Sequence, residues 1–135
     1  MTDALLALLL FLTQVLGQPR LSGLATWYDY CVPPACVFRS GEAWSDSSPS
    51  CAVDTSLWPE LKGKRVLVLT QDCRTAILRV NDTGYLYAAG YFQRGAWTWQ
   101  PAESGQRFVI DVPAATYRRV FGTTDTRRVW LWILD

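Results

Sequence analysis

The chain contains no histidine. That absence removes the usual general base near neutral pH, the commonest zinc ligand and any Ser–His or Cys–His nucleophile pair, so carboxylates are left as the natural acid/base groups. An excess of charge of one sign is missing as well. Lys and Arg number 13 against 12 Asp and Glu, a net charge of +1, and the basic residues are scattered singly or as the pairs Arg118-Arg119 and Arg127-Arg128. No footprint for nucleic acid or for an anionic lipid surface follows. The chain also lacks a bilayer-spanning run, an internal repeat, a linker and the paired Cys-x2-Cys knuckles that hold zinc. Neither metal nor organic cofactor is expected.

What is present fits one core. At 135 residues, half of them hydrophobic, the chain is too short for two ordinary domains. Ala4 to Leu16 form an apolar run of signal-peptide length, ending in Val15-Leu16-Gly17 with small or aliphatic residues at cleavage-type positions. Residues 1–17 are therefore read as a signal peptide and 18–135 as the domain, which implies a secreted, periplasmic or cell-envelope protein with no stable membrane insertion once the leader is removed. The first residues, Met1-Thr2-Asp3, carry no Lys or Arg, so an N-terminal helix or uncleaved anchor stays open. No lipobox cysteine follows.

Short strands separated by turn clusters dominate the remainder. Leu24–Tyr28, Ala52–Val53, Arg65–Thr70, Thr75–Val80, Phe108–Val112 and Arg128–Leu134 are rich in Val, Ile, Leu, Tyr and Trp and are bounded by Gly, Pro, Asp or Ser. One short helix is expected, opened by Pro113, carrying Ala114, Tyr117, Val120 and Phe121 on one face, and stopped by Gly122. Residues 32–50 and 88–106 read as loops. Four cysteines, an even number behind an export-like leader, favour two disulfides, for which three connectivities exist.

The chemistry-bearing segment is Val80-Asn81-Asp82-Thr83-Gly84, read with Asp111 in Phe108-Val109-Ile110-Asp111-Val112. Each carboxylate follows a β-branched run where a strand ends and can face a groove. Asp-Thr-Gly also marks aspartic proteases, but those want an apolar residue where Asn81 stands. Aromatic residues are abundant, with seven Trp and six Tyr. Trp130 and Trp132, two apart, point to one face and read as core or barrel wall. Trp97 and Trp99 lie in a Gly- and Gln-containing stretch, where their rings could form a platform for sugar C–H faces or staple the loop to the barrel. Tyr85, Tyr87 and Tyr91 follow Asp82 closely.

Taken in order, Gly23-Leu24-Ala25-Thr26-Trp27-Tyr28, Cys51-Ala52-Val53-Asp54-Thr55-Ser56-Leu57, Val80-Asn81-Asp82-Thr83-Gly84 and Ile110-Asp111-Val112 resemble the double-psi β-barrels of rare lipoprotein A, expansins and family-45 endoglucanases, over roughly residues 23–134. The resemblance implies a mainly β, six-stranded double-psi barrel with long loops, monomeric, whose partner is cell-wall glycan, peptidoglycan or β-glucan. It implies either a peptidoglycan lytic transglycosylase or inverting endo-glycosidase, or an expansin-like module that binds or loosens the wall without cleavage.

The same resemblance implies site residues. Trp27-Tyr28-Asp29-Tyr30-Cys31 is similar to the endoglucanase opening, which would make Asp29 the base and Asp111 the acid, in chemistry that needs carboxyl groups about 6.5–9.5 Å apart. In the rare lipoprotein A pattern Asp82 answers the critical aspartate, while Asp54 stands where the family has histidine and could share one proton with Asp82 as a coupled pair. Trp27, Tyr28, Asn81, Thr83, Tyr85, Tyr87, Trp97 and Trp99 would line the groove. By the same resemblance Cys51 would pair with Cys73, leaving Cys31 with Cys36.

Overall fold

The computed structural model describes residues 1–31, 34–87, 90–93, 96–99 and 107–135, with 90–93 and 96–99 described as backbone. In chain order the strands are β1 (Leu21–Tyr28), β2 (Ser50–Asp54), β3 (Arg65–Thr70), β4 (Thr75–Gly84), β5 (Gly90–Gln93), β6 (Ala96–Trp99), β7 (Phe108–Pro113) and β8 (Arg127–Ile133). The helices are α1 (Asp3–Leu16), α2 (Trp58–Leu61) and α3 (Ala114–Phe121). Six strands close a barrel in the order β1-β7-β2-β4-β3-β8, and β5 and β6 form a separate hairpin. The pairs β1/β7 and β2/β4 are parallel and the other barrel neighbours antiparallel. This is the mixed, closed, six-stranded barrel expected of the sequence, with every anticipated strand in place. Two expectations fall short. Helices are more numerous than one, since α1 occupies the apolar N-terminal segment and α2 follows a 3-10 turn at 55–57, and the presumed loop 88–106 contains the β5/β6 hairpin.

Alternation explains the core. Ala25 and Trp27, Cys51 and Val53, Val66 and Val68, Leu78 and Val80, Ile110 and Val112, and Val129 and Leu131 are buried in one cluster, each pair two residues apart on one strand and so on one face. Tyr117 and Phe121 of α3 and Leu61 of α2 join the same cluster. The limits of α3 follow from its flanks. Pro113 ends β7 and precedes the first turn, where a missing N–H costs nothing, and Gly122 takes a left-handed conformation (φ 70°) and donates to Arg118 O.

Two parallel pairings are bulged. Cys51 faces Val80 and Ala52 faces Asp82, which leaves Asn81 without a partner on β2. Leu24 faces Phe108 and Ala25 faces Ile110, which leaves Val109 as the extra residue of β7. The second bulge brings the chains unusually close: a Cβ on Gly23 would stand 2.5 Å from Arg107 O and 2.8 Å from Val109 Cγ1, so β1 and β7 can meet there only over a glycine.

Helix α1 lies on the outer wall. Thr2 Oγ1 accepts the Leu5 N–H at 3.1 Å, and Leu5 packs with Leu69 and Trp132. The Trp132 indole N–H donates to Gly17 O at 2.9 Å. Trp132 is thus barrel wall covered from outside, since its neighbour Leu131 takes the inward position. Among the described residues no helix is long and apolar enough to cross a membrane.

One disulfide is formed, Cys31–Cys36. The expected Cys51–Cys73 bridge is not, and both residues are free thiols. Cys51 points into the barrel opposite Val80, whereas Cys73 sits beyond the start of β4 at the turn after β3, beneath α1. Seven residues of extended chain separate Val80 from Cys73, on the order of 20 Å, and a disulfide needs Cα atoms within about 4.4–6.8 Å. Alkylation followed by intact-mass measurement is expected to label Cys73 in the folded protein and Cys51 only after unfolding. A chain with no free thiol would contradict this arrangement.

Candidate functional site

Ala52 is the centre of the site. It pairs with Asp82 of β4 on one side and with Asp111 of β7 on the other, and directly opposed residues point to the same face. Strands lie about 4.8 Å apart, so the two aspartate backbones are roughly 10 Å apart, with only a methyl group between them. The bulge makes this possible. By strict alternation Asp82, two residues after the inward Val80, would also point into the barrel, and the unpaired Asn81 turns it outward.

The segment after β1 folds back over this face. The N–H of Phe38 donates to Glu42 O at 2.8 Å and that of Trp44 to Cys36 O at 2.9 Å. Phe38 and Trp44 pack on Tyr28 and Ala52, with ring centroids 5.2 Å apart for Tyr28 and Trp44. Between this cover and the strands is a cavity of about 160 Å³, lined among others by Tyr28, Tyr30, Trp44, Asp82, Thr83 and Asp111. Asp82 is held at both oxygens: Oδ2 accepts from the Tyr28 hydroxyl and Oδ1 from the Arg39 N–H, each at 2.9 Å. Thr83 donates to Val53 O at 2.9 Å, fixing the end of β4 to β2.

Burial and charge set the two carboxyl groups apart. Asp111 keeps some access to the cavity, but its Oδ1 is covered and among the described residues has no hydrogen-bond partner. Burial, and then the charge of Asp82, hold its pKa well above the ordinary value, opposed only by the Val112 N–H. The site therefore favours the protonated form of Asp111. Tyr28 is driven the same way, by burial and then by the charges of Asp82 and Asp111, so its hydroxyl stays a donor. Behind them the Cys51 thiol is pushed up to about 12 by burial and then by Asp111 and Asp82, which keeps it protonated and unreactive.

Asp54 has a different task. Its Oδ2 accepts from the Ser56 N–H at 3.0 Å and hydroxyl at 2.6 Å, and its Oδ1 from the Tyr87 N–H at 2.9 Å. Burial acts to raise its pKa, but the Ser56 hydroxyl and the N–H groups of Tyr87, Ser56 and Leu86 outweigh it and the net shift is downward. Asp54 is an anion that pins the 3-10 turn after β2 to the chain after β4. The carboxyl whose titration feels Asp82 is Asp111.

The remaining anticipated residues scatter. Asp29 is exposed at the end of β1 and outside the cavity. Trp27 is in the core, its indole N–H donating to Thr124 O at 2.9 Å. Asn81 is buried, with both side-chain amide atoms unpartnered among the described residues. Tyr87 is half-buried beneath the Arg107 guanidinium, 3.9 Å from the ring centroid. Tyr85 is 75% exposed and lines a second cavity of about 400 Å³ that shares Thr83 and Gly84 with the first. Tyr91 falls on β5 and Trp97 and Trp99 on β6; their side chains lie outside the described residues. Trp44, Tyr30 and Arg39 were not anticipated. An isolated tryptophan within the Ser-rich stretch 40–50 was the available signal for Trp44, whereas Arg39 acts on Asp82 through its backbone, which side-chain identity does not reveal.

Fold and cavity define a closed six-stranded barrel bearing a carboxylate pair on its outer wall. No protein-family model matches the chain, and no curated protein matches it. Two solved structures of an expansin from Clavibacter michiganensis are similar in shape, the apo protein at 12% identity and a mutant in complex with cellohexaose at 14%, each with a TM-score of 0.49. Each covers 84% of this chain and 50% of the expansin, so this chain spans half the length of those proteins. The barrel assignment rests on the strand pairing itself.

A raised Asp111 pKa has a signed consequence. The folded state holds the proton more tightly than the unfolded chain, so the native protein loses stability as pH rises from the unfolded value, about 3.9, through the folded one. Asp111→Asn lacks this loss. Its melting temperature relative to wild type is expected to climb between pH 4 and pH 7, and a difference independent of pH would contradict the assignment.

Proposed function

We propose that the barrel binds cell-wall polysaccharide along the groove over β4, β2 and β7, and that Asp111 serves there as the acid that protonates a glycosidic oxygen. The observation that carries this reading is that Asp111, covered at Oδ1 and raised in pKa by burial and then by Asp82, lines one cavity with the anchored Asp82. A carboxyl group whose protonated form is favoured by its site is what acid-assisted sugar chemistry uses. Aromatic walls from Tyr28, Tyr30 and Trp44 suit the apolar faces of sugar rings. At about 160 Å³ the cavity is smaller than the roughly 300–1,000 Å³ of sites that swallow a whole ligand, which suits one ring of a polymer that continues outside. Peptidoglycan is the preferred substrate on the Val80–Gly84 segment, with β-glucan next, and the working place is the cell envelope or beyond.

A second reading has its own support. Both Asp82 oxygens are already engaged, and Asp54 is held by its turn, so among the described residues no free carboxylate stands ready as a base beside Asp111. A barrel that grips glycan without cutting it fits that arrangement.

Incubation with purified sacculi and with soluble β-glucans, followed by mass spectrometry, separates the readings. Anhydro-sugar ends are expected for transglycosylation and reducing ends for hydrolysis, with Asp111→Asn lowering release by about a hundredfold while binding holds. Co-sedimentation with sacculi and no released fragment would overturn the acid role and leave the binding module. Neither binding nor release from any wall polymer would overturn both.

A further inference from the structure

Next to the carboxylate cavity, across Thr83 and Gly84, lies the second cavity of about 400 Å³, lined by Arg39, Thr55, Trp58, Pro59 and Tyr85 together with those two shared residues. Its walls differ in kind from the first. Trp58 is half-buried, packed on the barrel core along one side and leaving the rest of its indole to the cavity. Tyr85 is 75% exposed and lines the cavity. Arg39 is exposed, and among the described residues its guanidinium makes no ion pair. Among the described residues no acidic side chain lines this cavity, whereas the first is lined by Asp82 and Asp111. The two compartments therefore carry opposite charge along one continuous groove. Arg39 also joins them physically, since its N–H holds Asp82 at 2.9 Å.

We propose that this second cavity is a subsite for a sugar ring bearing a carboxylate, with Trp58 and Tyr85 against the ring and Arg39 pairing with its acid group. The proposal rests on the polysaccharide reading above and adds the charge of the neighbouring unit. An unpaired guanidinium presents a planar fork that matches a carboxylate with two parallel hydrogen bonds, and flanking rings lower the local exposure to water that otherwise weakens such a pair. A neutral glycan would leave Arg39 idle.

Calorimetric titration of the full chain with a neutral β-linked glucan oligosaccharide and with its uronic-acid form of the same length tests this. Wild type is expected to bind the uronic form more tightly, and Arg39→Gln to weaken that binding about tenfold, the scale of one charge-assisted contact, while changing neutral binding less than about twofold. Arg39→Lys, which keeps the charge and loses the fork, is expected to fall between them, and unchanged melting temperatures show that the exposed position carries no fold. Tyr85→Ala is expected to weaken both ligands. Equal wild-type affinity for the two forms, or an Arg39→Gln loss shared equally by both, would overturn the charged subsite and leave the polysaccharide reading standing. Binding of neither form by a chain that still sediments with sacculi would overturn the charged subsite alone, and binding of neither form nor of sacculi would overturn both.

Discussion

One unpaired residue governs the site. Asn81 has no partner on β2, and that single interruption of a parallel ladder turns Asp82 from the barrel interior to its outer wall. There it meets Asp111 across Ala52. Everything described about the cavity depends on this reversal: a carboxylate pointing inward would be buried among Val53, Val80 and Ile110 with nothing to pair it, at a cost of several kcal/mol. The same backbone event hides Asn81, whose amide is buried where its neighbour is freed.

The outward face becomes a site because the chain after β1 covers it incompletely. Phe38 and Trp44 lean on Tyr28, and the Cys31–Cys36 disulfide ties the covering segment near its start. The cover removes enough water to raise Asp111 but leaves Asp82 its two donors. The two neighbouring carboxyl groups differ locally: among the described residues one has a covered oxygen with no partner, and the other accepts from a hydroxyl and an N–H.

Much of this was legible in the sequence, and the failures are physical. The six barrel strands announce themselves through β-branched runs, and Pro113 and Gly122 mark α3 by backbone chemistry that depends on no tertiary contact. Asp82 and Asp111 stand at strand ends in the sequence and line one cavity in the structure. A groove lined by both Trp27 and Tyr28 conflicts with the rule that adjacent strand residues face opposite ways, and the structure puts Trp27 in the core and Tyr28 on Asp82. The β5/β6 hairpin is hard to see in sequence because Gly and Gln in the stretch outweigh its short aromatic runs. Bulges leave no compositional mark, so neither the outward turn of Asp82 nor the inward position of Cys51, which rules out its bond to Cys73, could be read beforehand. Asp54 looked like a reactive group in the place of a histidine and proved to be a turn-fixing acceptor, because Ser56 two residues on supplies it with a hydroxyl and an N–H.

The central claim is that the bulge places Asp82 and Asp111 close together on one face, where burial first and the charge of Asp82 second raise the pKa of Asp111. Carboxyl-carbon NMR titration of Asp111 in the wild-type chain and in Asp82→Asn measures this directly. A midpoint above the ordinary aspartate value in wild type, falling when Asp82 is neutralised, is the predicted result. An Asp111 that titrates like an exposed aspartate, or one whose midpoint ignores the loss of Asp82, would contradict the account.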